Sequence, residues 1–302
     1  MQINRRTLLK SGTAALGATA LPGWAHAQMT LGNVQIDTLS DGNLVLPREF
    51  QFGDLPQDEV TEILARYGIT GDEMTPDCNV TLMRDGTNTV LFDVGAGPNF
   101  MPSAGTLWEA LDELGVYPED VTHVVFTHAH PDHLWGLLDD FDDLVFPEAQ
   151  YMIGRAERDY WLDPATPDTI GEARLAFAAG AIRYLGAIED RLTTFEDGEE
   201  ILPGIAARAT FGHTPGHMAF ELRGGSESVM VLGDCIGNAH VAFERPGWVS
   251  GSDQDQEMGA ATRVALLDQL ANDQMPFIGF HMPYPGIGRA EKSGDSYRFV
   301  AA

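Results

Sequence analysis

Cysteine and positive charge are scarce in this chain, and long apolar runs are missing beyond its N-terminal segment. Its two cysteines, Cys78 and Cys235, are too few and too far apart in sequence to define a disulfide framework. Small buried hydrophobes are the simpler reading for both. Lys and Arg number 18 against 45 Asp and Glu, a formal net charge of −27. Neither half carries a basic patch. A field of that sign repels nucleic-acid phosphates and anionic membranes, so neither is expected as a partner. Past the N-terminus no stretch is long and apolar enough to span a bilayer, which excludes stable membrane insertion by a helix. No internal repeat or low-complexity segment appears. What remains, 302 residues at 44% hydrophobic and 21% charged, is ordinary globular composition. It suits one large α/β domain or two small ones.

The N-terminus reads differently. "NRRTLLK" pairs Arg5 with Arg6, the weakly apolar "SGTAALGATALPG" follows, and "AHA" at residues 25–27 offers small residues where a signal peptidase reads. This layout predicts a twin-arginine signal peptide over residues 1–27, cleaved after Ala27. The expected location is the bacterial periplasm or the exterior. Removing the leader takes three cations and no acid, which moves the formal charge to −30.

Residues 28–302 are expected to form a single domain, with 28–76 an N-terminal extension packing on the site or on an interface. That extension predicts a strand pair and a helix over 57–68. Residues 79–95 read as a hairpin turning at Asp85-Gly86-Thr87. Residues 105–115 read as a helix closed by glycine. The β-branched run 121–128 is a strand, and 170–185 is helical. Short strands follow at 209–211, 218–222 and 229–234, then a helix over 259–273 and a last strand at 276–281. Strands, then helices, then the same order again predict an α/β protein, two mixed sheets with helices outside.

Nine histidines are present, and three of them crowd into "THAHPDH". His128 and His130 alternate just past a strand end, so both can point one way. Pro131 breaks the strand and places Asp132 and His133 on the turn. The pattern H-x-H-x-D-H thus presents nitrogen and oxygen donors from one loop, as a metal site needs. The remaining donors are expected at other strand ends. "FGHTPGH" supplies His213, "VLGDC" supplies Asp234 and "GFHMPYPGIG" supplies His281. His26 leaves with the leader, and His123 and His240 have no motif and default to surface or core.

With "LFDVGAG", these motifs in this order resemble the metallo-β-lactamase-fold hydrolases, from about residue 79 to the C-terminus. The resemblance implies an αββα sandwich holding two divalent metal ions. His128, His130 and His213 would serve one ion, and Asp132, His133 and His281 the other, with Asp234 bridging. Asp93 matches the carboxylate that orients the metal loop, and His217 a position that is structural. Donors without thiolate suit zinc best, with iron, manganese or cobalt as alternatives. The implied chemistry is hydrolysis by a hydroxide bridging the ions. Asp132 would also pass a proton to the leaving group.

"GAGPNF", "HMPYPGIG" and "SYRFV" resemble the methyl parathion hydrolase branch, whose substrate pocket is aromatic. The matching positions are Phe100, Trp161 and Phe177, and Tyr284 is a candidate oxyanion donor. The implied substrates are small, neutral and apolar: esters, lactones or phosphotriesters. That branch also suggests a homodimer. True β-lactamases carry Cys or Ser where this chain has Asp234. Glyoxalase-II-like thioesterases add a helical C-terminal domain, flavodiiron proteins need a flavin domain, and RNA-processing relatives want basic surfaces. A periplasmic metal-binding or sensor protein that keeps the fold without turnover is the alternative.

Overall fold

The structure, a computed structural model, describes residues 27–302. The predicted leader lies outside the described residues except for Ala27, the first residue of a strand. Two seven-stranded sheets dominate, and in each the spatial order of strands follows the chain. The first holds β1 (Ala27–Leu31), β2 (Val34–Asn43), β3 (Asp77–Arg84), β4 (Thr89–Phe92), β5 (His123–Phe126), β6 (Gln150–Gly154) and β7 (Leu192–Phe195). The second holds β8 (Glu200–Leu202), β9 (Ile205–Ala209), β10 (Met218–Gly224), β11 (Glu227–Val231), β12 (Phe277–Ile278), β13 (Ile287–Ser293) and β14 (Ser296–Ala301). Pairing is antiparallel through β4 and parallel from β4 to β7. The second sheet is antiparallel except where β11 meets β12.

Side chains alternate faces along a strand, and here both faces are buried. In β4 and β5, Val90, Phe92 and Val125 enter the layer between the sheets, where they meet Phe220, Leu222 and Val231 of the second. Leu91, Val124 and Phe126 point the other way, into a layer covered by α2 (Leu107–Leu114), α3 (Arg155–Leu162) and α4 (Leu175–Ala187). Met230 and Phe277 leave the second sheet on its far side and pack under α5 (Gln256–Asp273), against Leu266, Leu267 and Leu270. Helices, sheet, sheet, helices: the expected αββα sandwich is the fold observed.

Element ends differ from expectation in informative places. The helix expected over 105–115 runs Leu107–Leu114, and Gly115 closes it at φ 70°, a backbone state that favours glycine. The helix expected over 259–273 begins three residues earlier, because Asp255 caps it by accepting from the Met258 N–H at 3.0 Å. The strand expected at 276–281 is only Phe277–Ile278, and it is not the last. The ribbon of β13 and β14 follows at the sheet edge, where exposed Arg289 and Lys292 and half-buried Glu291 dilute the apolar signal. The strand expected at 209–211 ends at Ala209, which frees Thr210 and Phe211 for the loop beyond.

Residues 28–76 supply most of β1, all of β2, and a helix, α1 (Gln57–Arg66). β2 is zipped to β3 from Gln35↔Arg84 to Asn43↔Asp77, so this segment forms one edge of the first sheet. Val60, Ile63 and Leu64 of α1 pack with Phe52, Met74 and Val241 in a small core of their own. Both cysteines are buried and free, as their reading as small hydrophobes predicts, and burial pushes each thiol pKa up to about 12. Among the described residues no helix is long and apolar enough to cross a membrane.

Candidate metal centre

Every predicted ligand sits just past the end of a strand or in the loop beyond. β5 delivers His128, His130, Asp132 and His133 at its C-terminal end, the last two on a short helical turn, Pro131–Leu134. His213 follows β9, Asp234 follows β11, and His281 follows β12. The loops converge, and all seven side chains are buried. Their donor atoms fall into two groups, each within 4.8 Å: His128, His130 and His213, and Asp132, His133, Asp234 and His281.

Asp234 stands between the groups. Its Oδ2 lies 3.4 Å from His213 Nε2 and 4.0 Å from His128 Nε2 on one side, and 3.1 Å from His281 Nε2 on the other. Its Oδ1 lies 3.2 Å from His133 Nε2. The backbone holds it there. The Asp234 N–H donates to His217 Nε2 at 2.9 Å, and His217 Nδ1 meets Thr210 Oγ1 at 2.7 Å. Gly233, at φ 54°, leaves room for that imidazole, since a Cβ there would come within 2.6 Å of His217 Nε2. His217 is therefore structural, as its motif position implies.

Three of the histidines, His133, His213 and His281, are aimed through Nδ1. Asp93 Oδ2 sits 2.7 Å from His133 Nδ1, and the same carboxylate accepts from the Thr127 N–H and hydroxyl at 2.7 and 2.8 Å. This is how Asp93 orients the loop. His281 Nδ1 contacts the Asp77 carbonyl at 2.8 Å. His213 Nδ1 contacts Asp253 Oδ1 at 3.2 Å, and buried Arg263 pairs with the other Asp253 oxygen at 3.3 Å.

The donor set fits cations. Among the described residues, His128 Nε2, Asp132 Oδ2, His133 Nε2 and Asp234 Oδ1 are fully buried without a hydrogen-bond partner. Buried polar atoms are ordinarily paired, so four orphans facing one another call for a positive charge between them. The electrostatics agree. Burial opposes charge on His133 and His281, yet the Asp234 and Asp132 carboxylates outweigh it and push both pKa values well up. Burial opposes charge on Asp132 and Asp234 too, but the same two histidines hold both well below the carboxylate range. Burial, reinforced by neighbouring imidazoles, drives His128 and His130 well down and keeps them neutral, the form in which imidazole binds metal.

Two supporting carboxylates escaped the sequence reading, Asp253 and Glu157. Glu157, on α3, is completely buried. Its Oε1 accepts from the Ala129 N–H at 3.0 Å and the Trp161 indole at 2.6 Å. Its Oε2 accepts from the Thr214 hydroxyl at 2.6 Å and the Gly216 N–H at 3.0 Å. One side chain thus ties the His128–His130 loop to the His213 loop. Glu157→Gln presents an NH2 to two of these donors, and buried unpaired donors cost about 2–4 kcal/mol in total. The expected result is a Tm lower by about 3–7 °C, with weaker metal retention, read by thermal unfolding and metal analysis. An unchanged Tm would remove Glu157 from this role.

The predicted pocket residues separate. Phe177 is half-buried on α4 and stands edge-on to His130, ring centres 5.4 Å apart. Phe100, also half-buried, packs edge-on against Trp135 in the loop after β4. That loop is pinned by Asp41, which accepts from the Ala96 and Leu107 N–H groups, and burial raises the Asp41 pKa to about 7. Trp161 has no exposed surface, and its indole is committed to Glu157, so it backs His130 rather than facing open space. The Tyr284 hydroxyl donates to the Thr38 carbonyl at 3.3 Å, and its N–H donates to Asp77. Its phenol is thereby engaged with the backbone of β2.

A cavity of about 150 Å³ opens beside His281. It is walled by the 238–240 loop and by Gln51, Ile69 and Met74 of the N-terminal segment. His240, unassigned by motif, is buried on that wall, whereas His123 packs beside Thr122 on β5.

Residues 75–287 match the family model described as the metallo-beta-lactamase superfamily. Metallo-beta-lactamase domain-containing protein 1 of Xenopus laevis is 45% identical over 206 residues, 66% of this chain and 70% of that protein. The alignment with YobT of Bacillus subtilis, an uncharacterized protein, spans only 55% of its length. Among solved structures, the hydrolase AbOPH of the beta lactamase superfamily superposes with a TM-score of 0.86 at 28% identity, covering 92% of this chain and 97% of that one. AidC, a dizinc quorum-quenching lactonase, superposes with a TM-score of 0.86 at 24% identity, over 92% of this chain and 97% of that one, and so shares the fold. On its motifs, its sandwich and its matched length, the chain belongs to the metallo-β-lactamase superfamily.

Proposed function

We propose that the protein is an exported dinuclear metallohydrolase, acting in the periplasm or outside the cell on small, neutral, apolar esters, lactones or phosphotriesters. The observation that carries this reading is the Asp234 carboxylate, set within 3.1–4.0 Å of His128, His133, His213 and His281 at once. An Asp at this position, where β-lactamases have Cys or Ser, supports a hydrolase outside that activity. Two divalent ions, zinc being the best match to these donors, would acidify a water and polarise the scissile C=O or P=O oxygen. The chain's own residues do the rest. Asp93, Asp77 and Asp253 aim His133, His281 and His213 through their Nδ1 atoms, which fixes the site before substrate arrives. Asp132 Oδ2, 3.3 Å from His281 Nε2, is placed to hold the proton released by water and return it to the departing oxygen. Phe177 supplies an apolar edge beside His130 that excludes water from the bond being cleaved.

The test is metal analysis of the loaded protein together with turnover of aryl esters, a lactone panel and methyl parathion. Two ions per chain with turnover on at least one class is the expected outcome. Two ions with none would establish a metal-binding or sensor protein instead.

A further inference from the structure

We infer that Asn238 and His240 form a donor pair that recognises a neutral acceptor oxygen on the substrate, remote from the bond cleaved. This rests on the hydrolase reading above and deepens it.

Both residues line the cavity beside His281. Each has one polar face consumed by its own loop. Asn238 Oδ1 accepts from the His240 N–H at 3.3 Å and the Ala242 N–H at 2.9 Å, which assigns the oxygen and leaves the NH2 as the free end. His240 Nδ1 accepts from the Val241 N–H at 2.9 Å, which places the ring proton on Nε2. Among the described residues, nothing accepts from Asn238 Nδ2 or His240 Nε2. Burial lowers the His240 pKa to about 4, so the ring is a neutral donor at working pH. The ring is further held between Phe52 and Tyr67, with centroids 6.1 and 5.7 Å away. Two donors fixed by backbone bonds are preorganised for an acceptor.

The rest of the wall decides what kind of acceptor. Ile69, Met74, Pro76 and Pro283 are apolar, and Glu73 and Asp77 are the acidic residues of the lining, with His281 at its inner end. Their carboxylates disfavour an anion, and so does the net charge of the chain. A ketone, amide or ether oxygen on a short apolar arm meets these conditions. Because His281 belongs to the ligand group, an arm lying here extends from a scissile bond at the metal centre.

The test compares para-nitrophenyl levulinate with para-nitrophenyl valerate, which share a leaving group and differ by a ketone in place of a methylene. The metal-loaded protein is expected to favour the levulinate by about tenfold in kcat/KM, the worth of one well-placed hydrogen bond. Asn238→Asp keeps the acceptor that the loop needs and removes the donor. His240→Asn keeps an acceptor near the Nδ1 position and removes Nε2. Each is expected to bring the ratio near parity, chiefly through KM of the levulinate. A wild-type ratio near one, or a ratio that survives both substitutions, overturns the assignment. So does an equal loss on both substrates, which is the mark of a purely structural loop. The matching para-nitroanilides, titrated calorimetrically into the loaded protein, give the same comparison without turnover. A binding preference without turnover on any of the aryl esters, lactones or methyl parathion would refute the hydrolase reading and leave this one standing, and equal binding would overturn this one alone.

Discussion

Asp234→Ala is expected to lower bound metal from two ions per chain to one or fewer, and to cut kcat/KM by about a thousandfold or more, roughly 4 kcal/mol of transition-state stabilisation. Among the described residues, Asp132 meets only His133 and His281, whereas Asp234 is the carboxylate that lies within 4.0 Å of histidines from both donor groups. His213 and His281 stand 3.4 and 3.1 Å from one of its oxygens, and His133 stands 3.2 Å from the other. Without the carboxylate, His128, His130 and His213 remain as a three-nitrogen site. The second group keeps only Asp132 as an anionic donor. The fold should persist, because the bonds that shape this loop run through the Asp234 backbone to His217, and alanine retains them. Metal analysis beside circular dichroism therefore separates lost ligation from lost structure. A folded variant that keeps two ions and full activity would sink the bridging assignment.

The candidate ligands were legible in the sequence because each is a donor at the end of an apolar run, and a fold of two packed sheets brings such ends together. His128 to His133 announce themselves by density, and His213, Asp234 and His281 by position after a strand. The residues that support them leave no such mark. Glu157 lies in "RAERDYWL", among exposed Arg155 and Asp159, and reads as part of a solvated helix face. Only its burial against Ala129 and Gly216 reveals it, and that burial depends on loops far away in the chain. Asp253 sits in the polar run "GSDQDQ", indistinguishable there from a surface loop until Arg263 and His213 close around it. Trp161 fails in the opposite direction. An aromatic two turns into a helix carries no sign of which side it faces, and packing turned it inward. The pocket is harder still, since Gln51, Met74 and His240 meet only once β2 has paired with β3 and α1 has docked.

Removing the metal should make stability depend on pH in a direction set by the ligand histidines. In the metal-free protein, burial opposes charge on His133 and His281, but Asp234 and Asp132 overcome it and raise both pKa values above their unfolded values. Protons then occupy the place of the second cation. Stability from this source is fully present below the unfolded histidine pKa, about 6.5, and is lost as pH rises through the raised folded values. The depressed pKa values of Asp132 and Asp234 act at the other end. Their contribution is present above about 3.9 and lost as pH falls through the folded values. Metal displaces the protons, so its binding strengthens with rising pH while the metal-free protein weakens. The gap in Tm between loaded and chelated protein is therefore expected to widen from pH 6 to pH 9. With metal at about a thousand times its Kd, the added stability is about 4 kcal/mol, or about 7 °C in Tm. Thermal unfolding of the two forms across that range checks both the size and the slope. Parallel curves would mean that His133 and His281 do not carry the protons that metal must replace.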